Sequence, residues 1–181
     1  MNTIGRPERS EAVEYYFRYI DLVPEGDIRV TLEAQLPETI ELLARVSTDR
    51  VDYRYEPGKW TVREVLGHLN DTERLFTFRA FWFARGFDSE LPSFEQEIAV
   101  KNAGAADRPW TDLVDEFRSV RLSTLSFFRR LPPEAWLRRG VASGNPFSVR
   151  SLAYLAAGHV MHHTAILRGR YLGMKEQALE I

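Results

Sequence analysis

The stretch Ser151-Leu152-Ala153-Tyr154-Leu155-Ala156-Ala157-Gly158-His159-Val160-Met161-His162-His163-Thr164-Ala165-Ile166-Leu167 contains no acidic residue, no lysine and no arginine, yet holds three histidines. At about 100° per residue, Leu152, Ala156, His159, His163 and Ile166 fall within one arc of a helix, because their spacings alternate between four and three. Two histidines therefore lie inside an apolar stripe, and His162 is rotated to its flank. Residues four apart stand one above the other about 6 Å along the axis, so His159 and His163 can aim at one point. The run is shorter than the roughly 20 apolar residues of a membrane span and reads as a buried helix, starting near Ser148 and ending by Gly173.

Three more long helices precede it. The best marked opens at Thr61-Val62-Arg63-Glu64, where a capping box lets Thr61 and Glu64 satisfy each other's free amides, and continues to about Arg85, with Gly86 as its stop. Its apolar stripe is Val65, Leu69, Thr72, Phe76 and Phe83, and the remaining histidine, His68, lies at the edge of that stripe. The first long helix is expected over residues 27–46, with Pro37 predicting a kink or a split. A short amphipathic helix over residues 8–20, closed by Pro24-Glu25-Gly26, comes before it. The third long helix runs from Thr111, a candidate N-cap, to about Arg130, where Leu131-Pro132-Pro133 ends it.

Residues 88–109 form an inserted segment with a short helix around 94–102, and residues 140–146 are expected to be a surface loop from their turn residues. No period-two strand pattern is present. The expected fold is all-α, a single-domain four-helix bundle spanning residues 1–181, with a short N-terminal helix and an inserted helical loop.

Composition narrows the function. Of 181 residues, 44% are hydrophobic and 28% charged, enough apolar material for one core. The 24 basic and 26 acidic side chains give a net charge of −2, so no basic field exists for nucleic acid, and no membrane partner is expected. Cysteine is absent, which removes disulfides, thiolate ligands and a cysteine nucleophile together. The opening residues carry charges where an export signal needs an apolar core, which predicts a cytoplasmic protein.

A buried histidine is most simply a hydrogen-bonded core residue. Three brought together are different, since imidazole is the commonest metal ligand and clustered lone pairs need donors. His68 facing His159 and His163 would make a three-nitrogen set with a position left for water or substrate. Other chemistries lack their motifs: there is no His-Glu-x-x-His, no paired Glu-x-x-His and no Gly-x-Gly-x-x-Gly, and Ser143, in Ala142-Ser143-Gly144, lacks a nucleophile-elbow setting.

Two segments, Pro57-Gly58-Lys59-Trp60-Thr61-Val62-Arg63-Glu64-Val65-Leu66-Gly67-His68-Leu69 with Asp71-Thr72-Glu73-Arg74, and Ala157-Gly158-His159-Val160-Met161-His162-His163, resemble the DinB-like proteins, a family of four-helix bundles that includes the bacillithiol-transferase type. The resemblance spans roughly residues 27–172. It implies a divalent metal held by one histidine of the second long helix and the outer two of the His-x-x-His-His run, which are His68, His159 and His163. Nickel or zinc suits imidazole. His162, Asp71 and Glu73 are candidates for supporting the ligands, or else flank and solvated residues; Trp60 reads as a packing anchor.

The implied activity is a metal-dependent thiol S-transferase or isomerase acting on small electrophiles, with a low-molecular-weight thiol as cosubstrate. A metal-dependent hydrolase, and a metal- or ligand-binding stress protein without turnover, are the alternatives. Phe76, Phe78, Phe81, Trp82, Phe83 and Phe87 project around most of their helix, which predicts a homodimer unless residues 88–109 fold back over them.

Overall fold

A computed structural model describes residues 3–174. Four long helices form the bundle: α2 (Ile28–Ala44), α3 (Val62–Ala84), α5 (Trp110–Arg129) and α6 (Val149–Ile166). α3 packs on both α5 and α6, and α2 closes the other side against the same two helices. A short α1 (Glu14–Ile20) lies on α6, and α4 (Gln96–Asn102) lies on α3. After α6 the chain winds into one wide turn, Leu167–Tyr171.

The starts of α3 and α6 follow from their capping residues. Glu64 N donates to Thr61 Oγ1 at 3.1 Å and Thr61 N to Glu64 Oε2 at 2.7 Å, the expected reciprocal pair. Ser148 and Ser151 make the equivalent box at α6. Elsewhere the expectations need correction. α5 begins at Trp110 with Pro109 as its N-cap, because the Pro109 carbonyl accepts from Asp112 N and Leu113 N, and the Thr111 hydroxyl turns to Asp112 instead. Pro37 does not split α2: it lies on the exposed side, where water can take the carbonyl that the ring leaves unbonded. The segment expected as one N-terminal helix is divided into a tight turn, Arg9–Glu11, and α1.

Residues 140–146 are not an irregular loop. They belong to a hairpin of β1 (Arg139–Ala142) and β2 (Asn145–Ser148), paired antiparallel with Ala142 opposite Asn145. Its two-residue turn uses positive φ at Ser143 (55°) and Gly144 (70°), the backbone twist that a tight hairpin requires. Strands of four residues are too short to print a period. Leu91 docks on β1, with Leu91 N donating to Val141 O and Ser143 N to Leu91 O.

The apolar interior is two clusters stacked along the bundle, one around Leu32, Phe83, Phe128 and Leu155, the other around Leu43, Leu66, Phe117 and Leu167. A polar layer separates them. Arg121 donates to both carboxylate oxygens of Glu73, at 2.7 and 2.8 Å, and to Gln35 Oε1 at 2.7 Å, while Gln35 Nε2 donates to Ala157 O at 2.9 Å. All four helices thus meet at one buried network.

Candidate metal centre

His68 sits one turn and a half inside α3, and His159 and His163 are a single turn apart on α6. Because α3 and α6 are packed side by side, the three rings point into the same gap. His68 Nε2 is 3.1 Å from His159 Nε2, and His163 Nε2 is 3.1 Å from the same atom. One ring nitrogen from each lies within 4.8 Å of the others. His68 and His159 are buried, and His163 is partly exposed.

Burial sets the protonation of the group. It lowers the His68 pKa to about 4. Burial, then the neighbouring His68 and His162, brings His163 down to about 3. His159 is pushed well below its usual value by burial and by the other three histidines. All three rings are therefore neutral at pH 7 and offer lone pairs. His68 Nδ1 lies 3.3 Å from Thr72 Oγ1; with Nδ1–H donating to that hydroxyl, Nε2 keeps its lone pair for the gap.

These residues fit a metal ion on their own geometry. A ring nitrogen has one proton or one lone pair, yet His159 Nε2 faces two neighbours at hydrogen-bond distance. A cation where the lone pairs meet satisfies all of them. Two nitrogens about 2.0–2.1 Å from one ion at the tetrahedral angle stand roughly 3.3 Å apart, close to the 3.1 Å that separates His159 Nε2 from each of its two neighbours.

The surroundings are aromatic. Tyr19 of α1 and Phe76 of α3 lie edge-on to the His159 ring at 5.5 and 5.9 Å. Gly158 makes this approach possible, since a Cβ there would stand 2.1 Å from Tyr19 O. Trp60 lies 4.8 Å from the His68 ring, and the Tyr171 hydroxyl donates to its carbonyl at 2.6 Å. Trp60 is thus a wall of the site and more than a packing anchor. His68 and His159 line a cavity of about 310 Å³, and His163 a second of about 230 Å³. A larger groove of about 490 Å³ between α3 and α5 carries none of the histidines.

The supporting residues are not all those expected. Glu73 is absorbed in the pair with Arg121 and makes no contact with an imidazole. Asp71 faces Arg74 at 3.5 Å, with burial raising its carboxyl pKa. His162 stacks edge-on to Tyr19 at 5.2 Å and stays outside the triad. Thr72 supports His68, a role that only its place one turn after the ligand could have suggested. Arg79, buried in the wall of the larger of the two site cavities, had no signal in the sequence.

Residues 31–167 match the family model described as the DinB superfamily, and the chain belongs to that family. No curated protein sequence matches it. Among solved structures it is similar to YfiT from Bacillus subtilis, described as a probable metal-dependent hydrolase with an unusual four-helix bundle topology. The TM-score is 0.69 at 19% identity, with 93% of this chain and 94% of that one covered. A DinB-like protein of the same organism, YjoA, matches with a TM-score of 0.58 at 22% identity, covering 82% of this chain and 93% of the other. At these identities the likeness concerns the fold.

Proposed function

We propose that this chain is an enzyme that holds one divalent ion, nickel or zinc, on His68, His159 and His163 and directs a small nucleophile at an electrophilic substrate. The observation that carries this is the convergence of three neutral Nε2 atoms, two of them on histidines that line one cavity and the third on a histidine that lines another. When bound, the ion would supply Lewis acidity, favouring the deprotonated form of a thiol or water next to it. The chain's own residues do the rest. Thr72 fixes the His68 ring, Trp60 lies against that ring, and Phe76 and Tyr19 lie edge-on to His159. Tyr19 remains a phenol, since burial and then Tyr15 push its pKa up to about 12.

With no cysteine in the chain, thiol chemistry here needs a low-molecular-weight thiol from outside. Thiol transfer to a small electrophile is the first reading. Hydrolysis is the second, favoured by the description of YfiT as a probable metal-dependent hydrolase. The test loads the protein with nickel or zinc and follows electrophile loss with and without thiol, in wild type and His163→Ala. Rates that need thiol and vanish in the variant support transfer, rates independent of thiol support hydrolysis, and rates equal to free metal in every arm leave a binding protein.

A homodimer and a cytoplasmic location belong to the same proposal. Phe78, Phe81 and Phe87 are 48%, 38% and 47% exposed, and residues 88–109 run along the other side of α3 without covering them. Among the described residues no helix is long and apolar enough to cross a membrane. Light scattering should give twice the chain mass at micromolar concentration, and a single chain mass would refute the dimer.

A further inference from the structure

On α3, His68, Thr72, Phe76 and Arg79 recur at spacings of four, four and three, so they share one face, and all four line the same cavity. Arg79 is only 3% exposed. Its Nη2 donates to Pro92 O at 3.0 Å and to Ser143 Oγ at 2.8 Å. Nε is buried without any partner, and Nη1 makes no hydrogen bond to a described residue. No acidic side chain among the described residues pairs with this guanidinium. Glu95 lines the same cavity, but it is exposed and not within ion-pair distance. Tyr16 offers no phenolate, because burial raises its pKa.

A buried charge without a countercharge is costly, and removing one from water is tolerated when a partner arrives. Arg79 differs in this from Arg121, which is fully buried and whose charge is met by Glu73. The residue that receives Arg79 is itself held in an unusual backbone state: Ser143 has φ 55° in the hairpin turn. Its hydroxyl oxygen accepts from Arg79, so its own proton is free to donate. One guanidinium and one hydroxyl match a group with a single negative charge and several acceptor oxygens.

The cavity is long as well as charged at one end. Residues 68 and 79 are roughly 16 Å apart along the helix axis, and an arginine side chain leans back towards the N-terminus and shortens that gap. Tyr15, Tyr16 and Tyr19 line the space between. We propose that this cavity binds an elongated small-molecule carboxylate, its anionic head on Arg79 and Ser143, its apolar body along the tyrosines and its far end at the histidine triad. That the far end is the reacting end rests on the function proposed above; the carboxylate site does not.

Octanoate, butanoate and octanamide are suitable probes, titrated calorimetrically into the full-length protein, both zinc-loaded and after chelation. Wild type should bind octanoate roughly tenfold or more tighter than octanamide in both states, the margin of a charge-assisted hydrogen bond, and butanoate more weakly than octanoate. Arg79→Gln should abolish the preference, and Arg79→Lys should keep part of it. In ¹⁵N-arginine-labelled wild type, the Arg79 Nε resonance should move with octanoate and not with octanamide, a readout that stands even if the variants fold poorly. Equal binding of acid and amide would overturn the proposal, as would a preference that survives Arg79→Gln. A preference seen only with zinc and lost in His163→Ala would place the carboxylate at the triad and overturn it too. Failure of zinc uptake alone would refute the metal centre and leave the chelated-protein result standing.

Discussion

Five residues apart on α3, His68 and Glu73 belong to two buried polar clusters of opposite kind. The Glu73 carboxylate takes both arms of Arg121, Arg121 reaches Gln35 and Leu32 O, and Gln35 reaches Ala157 O, so charge and hydrogen bonds close on themselves. The triad of His68, His159 and His163 does not close: three neutral rings present one another with lone pairs. A polar cluster that is complete in itself ties helices together, and one left open faces something that is not part of the chain. Arg79 falls on the open side of that division.

Breaking the closed cluster should have the largest effect on stability. Arg121→Ala leaves Glu73 charged and buried, at a cost of about 3–5 kcal/mol. At roughly 2–4 °C per kcal/mol for a chain of this size, the melting temperature should drop by about 10 °C. The metal bound per folded chain should not change. Replacing both partners, Glu73→Leu with Arg121→Met, should recover most of the loss.

Filling the open cluster comes next. Zinc at about a thousand times its Kd should stabilise wild type by about 4 kcal/mol, read as a higher melting temperature, and His159→Ala should gain nothing. Equal gains in both proteins would mean that zinc binds elsewhere.

Gly158 sharpens the comparison, because it admits α1 to the open cluster. Gly158→Ala drives a Cβ against Tyr19 O, at a cost of about 1–3 kcal/mol, and should weaken zinc binding through the displaced Tyr19 wall. Gly67→Ala is the control. Its added Cβ meets only Ala105 Cβ at 3.5 Å, an ordinary contact, so stability and zinc affinity should stay near wild type.

The smallest effect is that of pH on metal-free protein. A ring harder to protonate when folded leaves the unfolded chain with the extra proton, so stability is full above the ordinary value of 6.5. It then falls as pH drops towards the folded values, about 4 for His68 and about 3 for His163. Between pH 7 and 6 the loss should be under about 1 kcal/mol for each ring. Denaturant melts of chelated protein at the two pH values measure it, and stability that rises on acidification would contradict neutral buried rings.

The sequence carried the bundle and the triad because both rest on helical periodicity, which a long segment prints many times. The capping box at Thr61 and the apolar stripe around His159 are local signals of this sort. What it concealed was set by partners distant in the chain. Glu73 read either as support for the ligands or as a solvated residue, and it is neither, because Arg121, 48 residues away, holds both its oxygens in the interior. The hairpin over residues 139–148 was hidden because each strand is four residues long and Leu91, which docks on it, comes from the inserted segment. Arg79 gave no sign of being buried without a countercharge, since its surroundings come from α1, the insertion and the hairpin.

The central claim is that His68, His159 and His163 together hold one ion. Its most direct test is elemental analysis of protein stripped, reloaded with zinc or nickel and desalted, for wild type and for each of the four histidines changed to alanine. Wild type and His162→Ala should hold about one ion per chain, and the other three variants close to none. One ion retained in a variant lacking any triad histidine, or equal loss in all four, would contradict it.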